Sequence, residues 1–220
     1  ADEEDDVAIV TDKLVAQLAE KIGLYGYAKG DQFYNLLSAL QKSIRGSDVN
    51  AALYYLAHCL ENGDLIAVNR RLLVISYEDV GLADPQVGPH VLAAVQSAER
   101  LGMPEARIPL AQAVIEMCLA EKSNSAISAI DAAIHDIHTG KTGDIPMHLR
   151  DTHYSGAAEL GNVGYQYPHN TPIGTFGGWV NQQYLPDELV TREYYTPVIA
   201  GKEQRMATIY DKLKSFKKKK

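Results

Sequence analysis

The 220-residue sequence has little cysteine and little tryptophan, with two cysteines and one tryptophan in all. Two cysteines, Cys59 and Cys118, make neither a zinc-finger pattern nor a disulfide framework. Each lies among apolar neighbours on a predicted helix, which favours a buried, reduced thiol. The spacing therefore gives no indication of a cysteine metal site or a disulfide-stapled secreted domain.

Long hydrophobic runs are also missing. No apolar stretch approaches the ~20 residues that a membrane span needs. The first ten residues, ADEEDDVAIV, are acidic where a secretory signal would be basic and then apolar. We therefore expect a cytoplasmic protein with no membrane partner.

Basic residues are scarce outside the C-terminal end. The formal net charge is −7, and six of the 21 Lys and Arg residues lie at Lys212, Lys214, Lys217, Lys218, Lys219 and Lys220. Such an acidic body is a poor surface for nucleic acid, because affinity for DNA depends largely on Lys and Arg neutralising phosphates. Only the terminal block Lys217 to Lys220 is a candidate for phosphate contacts, although a solvated terminal charge block is the simpler interpretation.

The stretch HTGKTG, from His138 to Gly143, contains the Gly-Lys-Thr end of a phosphate-binding loop. That loop requires a strand before it, an earlier glycine and a helix after it. Here His135 occupies the position of the first glycine, and apolar residues at helical spacing precede the motif. We therefore interpret Gly140 as the residue just past the end of a helix.

Residues that typically start and end helices recur through the first two thirds of the chain. The capping and apolar patterns predict helices, most of which end at glycines, and a last helix near 203–216. The predicted starts are Asp31, Ser47 or Asp48, Asp64, Asp84-Pro85, Pro104 and Ser123 to Ser125. No segment alternates in the way a half-buried strand does. We predict an all-α fold, an array of helices joined by loops so short that neighbours pack antiparallel.

From about residue 144 the composition changes to glycine, proline, asparagine and tyrosine without helical or strand periodicity. Long loops of this kind are usually functional, interfacial or disordered, and the aromatic residues argue against disorder. We predict an ordered strap that packs against the helices or a partner through Tyr165, Tyr167, Phe176, Trp179 and Tyr184.

Two acidic residues, Glu78 and Asp79, lie in the last turn of a predicted helix, where the helix dipole disfavours negative charge. We expect an ion pair with an arginine, for which Arg70, Arg71 and Arg107 are candidates. A catalytic acid and base pair is the alternative, but no nucleophile or metal ligand lies nearby in the sequence. The histidines His135, His138, His148 and His153 also lack a zinc-binding spacing, so we predict no catalytic, cofactor or metal site.

Several long motifs resemble the C-terminal region of the RarA family, also called MgsA, of bacterial AAA+ ATPases, which are related to clamp loaders and to the Werner helicase-interacting protein. They include FYNLLSALQKSIRGSDVNAALYYLAHCLENGD, RRLLVISYEDVGLADP, ERLGMPEARIPLAQAVI, HLRDTHYSGAAELG and GGWVNQQYLPDEL. Together with shorter matches they cover most of residues 31 to 189.

The resemblance implies a division into the end of an AAA+ lid over residues 1–30, a helical oligomerisation domain over 31–195 with the strap from about 144, and a C-terminal helix with a lysine-rich tail over 196–220. It implies a collar like that of clamp loaders, which assembles the family's subunits as a homotetramer. ATP and Mg²⁺ would bind upstream of the residues that match, so we expect no catalysis and no cofactor in this chain.

The resemblance also implies a function in replication-fork maintenance and recombination near the nucleoid, with DNA and single-strand-binding protein as partners of the full-length protein. We therefore expect an oligomerisation domain, with Trp179, Tyr184, Arg107, Glu78 and Asp79 as candidate structural or interface residues. A docking module for DNA or a replication partner, which uses the lysine tail or the strap, is the alternative.

Overall fold

The computed structural model describes residues 11–13, 15, 30–62, 64–152, 163–170 and 179–217. The longer described ranges contain seven α-helices and short 3₁₀ and π turns, and no strand is present in them. This confirms the predicted all-α class. The helices are α1 (Gly30–Arg45), α2 (Val49–Glu61), α3 (Leu65–Ile75), α4 (Val87–Leu101), α5 (Arg107–Leu119), α6 (Ser125–His138) and α7 (Glu203–Lys217).

The contacts divide the chain into two compact units, one up to Lys122 and one from Ser123 onward. Helices α1 to α5 belong to the first unit, whereas α6, the irregular segments and α7 belong to the second. The boundaries expected near residues 30, 144 and 195 were drawn from composition and family resemblance. The two units are defined by contacts between residues instead, so those boundaries stay predictions.

The first unit has an apolar core. Helix α1 packs against α2, α3 and α5, and α4 packs against α5. Among the largest fully buried side chains of this core are aliphatic residues of α1, α3, α4 and α5: Leu40, Ile44, Val68, Leu72, Ile75, Val91, Leu110 and Met117. Burial of each large aliphatic side chain contributes about 1.5–3 kcal/mol, so this core stabilises the unit without disulfides.

Aspartates cap two helices where the sequence predicts them. The side chain of Asp48 accepts a hydrogen bond from the backbone N–H of Ala51 at 2.9 Å, and Asp64 accepts one from Ala67 at 2.8 Å. Each cap satisfies one of the donors that the first turn of a helix leaves unpaired.

Helices α4 and α5 begin later than predicted. Asp84 and Pro85 form a turn, in which the Asp84 carbonyl accepts from the N–H of Val87 at 3.1 Å, and α4 begins at Val87. Residues 103–106 likewise form turns, so that α5 begins at Arg107 and not at Pro104. Proline is compatible with a turn as well as with a helix start, which is why the sequence placed the starts of both helices too early.

Helix α3 continues into one π-helical turn, Ser76–Val80, before Gly81 ends it with a φ of 50°. The predicted end at Gly81 is therefore confirmed, although the last five residues before it are not α-helical. A π turn adds one residue to the helical repeat and re-aims the side chains that follow. Here it buries Asp79 while Glu78 remains half-buried.

The second unit buries mostly polar side chains. Its described buried residues are two small or medium apolar ones, Val180 and Ala207, and four polar ones, Ser123, Ser125, Asp136 and Glu203. Helix α6 begins at Ser125, and Asn124 before it makes no side-chain cap. The Ser123 hydroxyl accepts from the Ser125 N–H at 3.3 Å, and both serine hydroxyls also donate to Glu203. The buried polar residues described in this unit are therefore held by hydrogen bonds and ion pairs.

None of the helices in the described ranges is both long enough and apolar enough to cross a membrane.

Candidate functional site

The acidic pair at the end of α3 contacts an arginine. Arg45, in the last turn of α1, donates through Nε to Asp79, and its Nη2 lies 3.2 Å from Oε1 of Glu78. The hydrogen bond to Asp79 is the largest of the effects that raise the pKa of Arg45. Asp79 is only 5% exposed, so Arg45 supplies a positive charge beside a nearly buried carboxyl group.

The arginine at this position is not one of those expected. Arg71 donates to Oε1 of Gln41 at 2.7 Å, and the Gln41 amide in turn donates to Asp79 at 3.1 Å. Arg107 donates to the carbonyl of Pro104, and Arg70 lies exposed beside an apolar groove. The sequence missed Arg45 because the contact spans 34 residues and exists only because α1 packs on α3.

Among the residues that the structure describes, the acids Glu78 and Asp79 contact side chains other than the candidate histidines. Glu78 and Asp79 are engaged by Arg45 and Gln41, which makes them part of a structural ion-pair network. Over the ranges with described side chains, no group of three or more His, Cys, Asp or Glu could hold a metal ion. His148 contacts the carbonyl of Gln183 at 2.8 Å, and His153 lies outside the described residues.

The candidate phosphate loop is the end of a helix. Helix α6 stops at His138, Gly140 has a φ of 77°, and the Lys141 N–H donates to the carbonyl of Asp136 at 2.8 Å. This is a helix C-terminus closed by a left-handed glycine, as predicted. Residues 141–146 form no helix, so the backbone around Lys141 does not fit a nucleotide phosphate.

Two aromatic residues of the predicted strap make different contacts. Trp179 is partly buried, and its ring packs 5.4 Å from that of Phe216 on α7. Tyr184 remains 46% exposed, and its hydroxyl accepts from the side-chain amide of Gln182 at 2.7 Å. Phe176 lies outside the described residues. Trp179 therefore fixes the segment to α7, whereas Tyr184 faces solvent.

Gln182 joins two irregular segments that carry exposed tyrosines, through a pair of hydrogen bonds that we call the Gln182 clasp. The side chain of Gln182 accepts from the backbone N–H of Gln166 at 3.1 Å and donates to the Gln166 carbonyl at 2.9 Å. This pairing holds residues 163–170 beside residues 179–185. Tyr165 and Tyr167 are exposed there, as is Tyr184.

The basic tail is described only in part. Lys214 lies 3.7 Å from Glu193, 3.6 Å from Asp211 and over the ring of Tyr210. Its charge is therefore shared with neighbouring acids. The side chain of Lys217 and the residues 218–220 lie outside the description, so phosphate contact by this block stays a prediction.

Two carboxylates of the second unit, Glu203 and Asp136, are buried, and the sequence did not predict either as a functional or buried residue. Glu203 is fully buried and accepts from Ser123, from Ser125 at 2.6 Å and from Tyr195 at 2.9 Å. Burial acts to raise the pKa of Glu203, but these hydrogen bonds outweigh it and hold that pKa below the ordinary value. Burial and the bond to Glu203 also raise the pKa of Tyr195 to about 12.

Asp136, on the inner face of α6, is the second of these carboxylates. It accepts from Arg192 at 2.6 Å and from Tyr194 at 3.2 Å, and Lys141 lies 3.5 Å away. Burial acts to raise the pKa of Asp136, but the bonds from Arg192 and Tyr194 and the nearby positive charges lower it overall. A lone acid on a helix gives no sequence signal of burial, because its partners lie more than 50 residues away.

The first unit exposes an apolar groove between α4 and α5. Its walls are formed by small residues such as Ala93 and Ala111, and Ile108 and Ile115 lie at its edge. Ile108 is 62% exposed, and Leu119 at the end of α5 is 72% exposed. His90 and Glu116 pair across the groove at 2.6 Å. Large apolar side chains exposed in this way mark surfaces that a partner covers.

Comparison with known proteins identifies the family of this chain. The model of the MgsA AAA+ ATPase C-terminal family matches residues 46–214. Replication-associated recombination protein A of Bacillus subtilis is 62% identical over 186 residues, which are 84% of this chain and 43% of that protein. The proteins of the same name from Coxiella burnetii and Escherichia coli are 36% and 38% identical, over 98% and 81% of this chain.

This chain spans less than half the length of those relatives, at 43%, 48% and 40% of each. The family model and the three relatives agree with the motifs quoted from the sequence. The chain therefore belongs to the MgsA AAA+ ATPase C-terminal family.

Proposed function

We propose that this chain is the oligomerisation part of an AAA+ ATPase that hydrolyses ATP in a DNA-dependent manner and acts in replication-fork maintenance and recombination at the nucleoid. The assembly we propose is a homotetramer. Membership of the family and the printed name of its relatives, replication-associated recombination protein A, support the biological setting.

The apolar surface of the first unit carries the proposal of assembly. Ile108 and Ile115, which line the groove between α4 and α5, and Leu119 at the end of α5 present large aliphatic side chains to water. Covering such side chains gains about 25 cal/mol for each Å² of apolar surface. A self-associating domain gives these side chains an apolar environment, as the cores of subunit interfaces do.

In this proposal, ATP is bound and hydrolysed by a region that the relatives contain and that this chain does not cover. The residues around Gly140 close a helix and do not cradle phosphate. ATP and Mg²⁺ would therefore bind outside residues 46–214, the range that the family model matches.

Solution mass tests the proposal. We expect light scattering on a sizing column to give four times the chain mass of 24.1 kDa, unchanged across a roughly tenfold dilution. An Ile108→Glu variant should dissociate more readily, because assembly would bury an unpaired charge. Gln112→Glu, which adds the same charge to the same groove at an already polar position, is the matched control. A monomer at every concentration would contradict the proposal.

Docking of DNA or a replication partner is the second candidate function. The exposed tyrosines Tyr165, Tyr167 and Tyr184, which lie in the two segments that Gln182 joins, favour it, since aromatic rings stack on unpaired bases and are frequent in protein interfaces. If the lysine tail binds phosphate, the logarithm of the affinity for DNA should fall linearly with the logarithm of the salt concentration. The affinity should be lost when residues 217–220 are removed.

A further inference from the structure

The positive charge of the first unit is concentrated on two neighbouring helices. Helices α1 and α3, which pack against each other, carry four basic residues and one acidic residue, Asp31. Helices α2, α4 and α5 together carry two basic and three acidic residues. The basic residues of the first pair are Lys42, Arg45, Arg70 and Arg71. A chain with a net charge of −7 therefore has a local excess of positive charge on α1 and α3.

A groove lies between these two helices, and we call it the α1–α3 groove. Its lining combines apolar side chains with an aromatic ring and two guanidinium groups: Leu37, Ala67, Val74, Tyr34, Arg70 and Arg71. Leu37 is buried, whereas Tyr34 is 67% exposed and Val74 47%. The groove thus offers an apolar surface, a ring that water reaches and positive charge in one place.

Neither arginine of the groove forms an ion pair within the described part of the chain. Nη1 of Arg71 donates to Oε1 of Gln41 at 2.7 Å, and the Gln41 amide donates to Glu78 and Asp79. These two acids pair with Arg45 instead. The bond to neutral Gln41 orients the Arg71 guanidinium without neutralising its charge.

A ligand that matches this lining has both negative charge and a flat face. Guanidinium groups bind phosphate through paired N–H donors, and a tyrosine ring stacks on an unpaired base. Single-stranded nucleic acid presents a phosphate and a free base in every nucleotide. A run of acidic residues supplies the charge but has no planar face to cover the Tyr34 ring, and the bases of a duplex are already stacked on each other.

On these grounds, and resting on DNA docking as the second candidate function, we propose that the α1–α3 groove is a contact site for single-stranded nucleic acid. Arg70 and Arg71 contact phosphates, and Tyr34 stacks on a base. This site lies in the first unit, whereas the lysine tail and the tyrosines of the Gln182 clasp belong to the second.

The number of charges sets the expected strength of this contact. On a single strand, each phosphate that a basic side chain neutralises contributes about −0.7 to the slope of log affinity against log salt concentration. Arg70 and Arg71 together therefore contribute a slope of about −1.4, which corresponds to weak binding that is strongest at low salt. The lysine tail would add to this slope if it also binds, so only a difference in slope between variants identifies the groove.

Fluorescence anisotropy of a labelled oligothymidylate, mixed with the whole chain, measures the charge contribution. Arg70→Gln should lower the affinity about fivefold at about 0.05 M salt and make the slope shallower by about 0.7. Arg70 is exposed, so this variant should fold normally. Arg100→Gln, which removes an exposed arginine of α4 outside the groove, is the matched control and should change neither the affinity nor the slope.

The stacking contribution has a different signature. Tyr34→Leu keeps an apolar side chain but removes the ring, so it should lower the affinity about fivefold or more while leaving the salt slope unchanged. Tyr34→Phe keeps the ring and should bind like the wild type. Tyr54→Leu on α2 is the matched control, since Tyr54 is 59% exposed and lies outside the groove.

The outcomes separate this site from the functions on which it rests. If the wild type binds and both Arg70→Gln and Tyr34→Leu bind equally well, the site is wrong, and DNA docking stands on the lysine tail or the strap. If the wild type does not bind at low salt, the site and DNA docking both fail. The proposed assembly is measured independently, by light scattering.

Competition tests the class of ligand. Unlabelled oligothymidylate should displace the labelled strand at a lower concentration of charge than poly-aspartate does, because only the oligonucleotide covers Tyr34. Equal displacement by the two, or a loss of affinity in Arg70→Gln without any in Tyr34→Leu, would show an anion site without base stacking and would overturn the assignment to nucleic acid.

Discussion

Arg45 is the residue on which the end of α3 depends. It pairs with both Glu78 and Asp79, and Asp79 is almost completely buried. Removing one partner of a buried charge pair leaves the other without compensation, which costs more than the pair itself contributes. The sequence predicted an arginine for these acids but could not choose it, because the choice depends on which helices pack together.

We expect Arg45→Met to lower the free energy of unfolding by about 1–3 kcal/mol, since it leaves the Asp79 carboxylate buried and unpaired. Urea denaturation at neutral pH measures this change. Arg100→Met, an exposed arginine on α4, is the control and should change stability little. Equal effects of the two variants would mean that the ion pair contributes nothing specific.

The buried carboxyls Asp136 and Glu203 make stability depend on pH. Their folded-state pKa values lie below the ordinary carboxyl values, mainly because hydrogen bonds and positive charges outweigh the effect of burial. The unfolded chain then binds protons at a higher pH than the folded chain. Their contribution is complete above the unfolded pKa of about 4 and is lost as the pH falls through the folded pKa values.

Urea unfolding between about pH 7 and pH 3 should therefore show a loss of stability on the acid side. The slope with pH should be shallower for Glu203→Gln, which cannot ionise at that position, than for the wild type. Asp131→Asn, at an exposed position on α6, should keep the wild-type slope. A Glu203→Gln chain with an unchanged slope would contradict the assignment.

At the scale of the elements, the ends of the helices illustrate how sequence and structure differ. The first helix ends near Gly46 as predicted, but the residue with positive φ is Ser47, at 60°. Gly81, Gly102 and Gly140 do have positive φ where the sequence predicts helix ends. The predicted end at Gly63 lies outside the described residues. A glycine in the sequence thus marks the turn without fixing which residue adopts the left-handed conformation.

We expect Gly102→Ala to destabilise the chain by about 1 kcal/mol, because Gly102 has a φ of 70° and other residues are strained there. No atom lies within 4 Å of an added Cβ, so a steric clash does not contribute. Thermal unfolding measures the effect. Gln96→Ala, at an exposed position inside α4, should be neutral or slightly stabilising, and a similar loss there would point to another cause.

At the scale of the whole molecule, charge and apolar surface act in opposite directions. The net charge of −7 makes copies repel, whereas in the proposed assembly the apolar groove between α4 and α5 would favour association. Salt screens the repulsion between exposed charges and leaves apolar contact in place. The same salt weakens any phosphate contact by the lysine tail.

Raising the salt from about 0.05 M to about 0.5 M should therefore leave the assembly intact or strengthen it, because the Debye length shortens and repulsion falls. Retention of single-stranded DNA, if the tail provides it, should decrease over the same range. Light scattering and DNA binding on the same samples separate the two functions. Dissociation of the assembly by salt would contradict an apolar interface.

The sequence by itself determined the all-α class, the helix caps at Asp48 and Asp64, the helix end at Gly140 and the family, because these depend on local spacing and on long contiguous motifs. Apolar periodicity also predicted α6. Periodicity could not show that the four isoleucines of α6, Ile127, Ile130, Ile134 and Ile137, are exposed. It identifies the apolar side of a helix but not whether another element packs on that side.

Only the tertiary structure decided which charges meet and which side of each helix is buried. The partner of Asp79 is 34 residues away, and those of Asp136 and Glu203 are as far as 58 and 80 residues away. The stability of a buried carboxylate depends on the donors that packing brings within hydrogen-bond distance. The local sequence around the carboxylate does not indicate which residues those donors are.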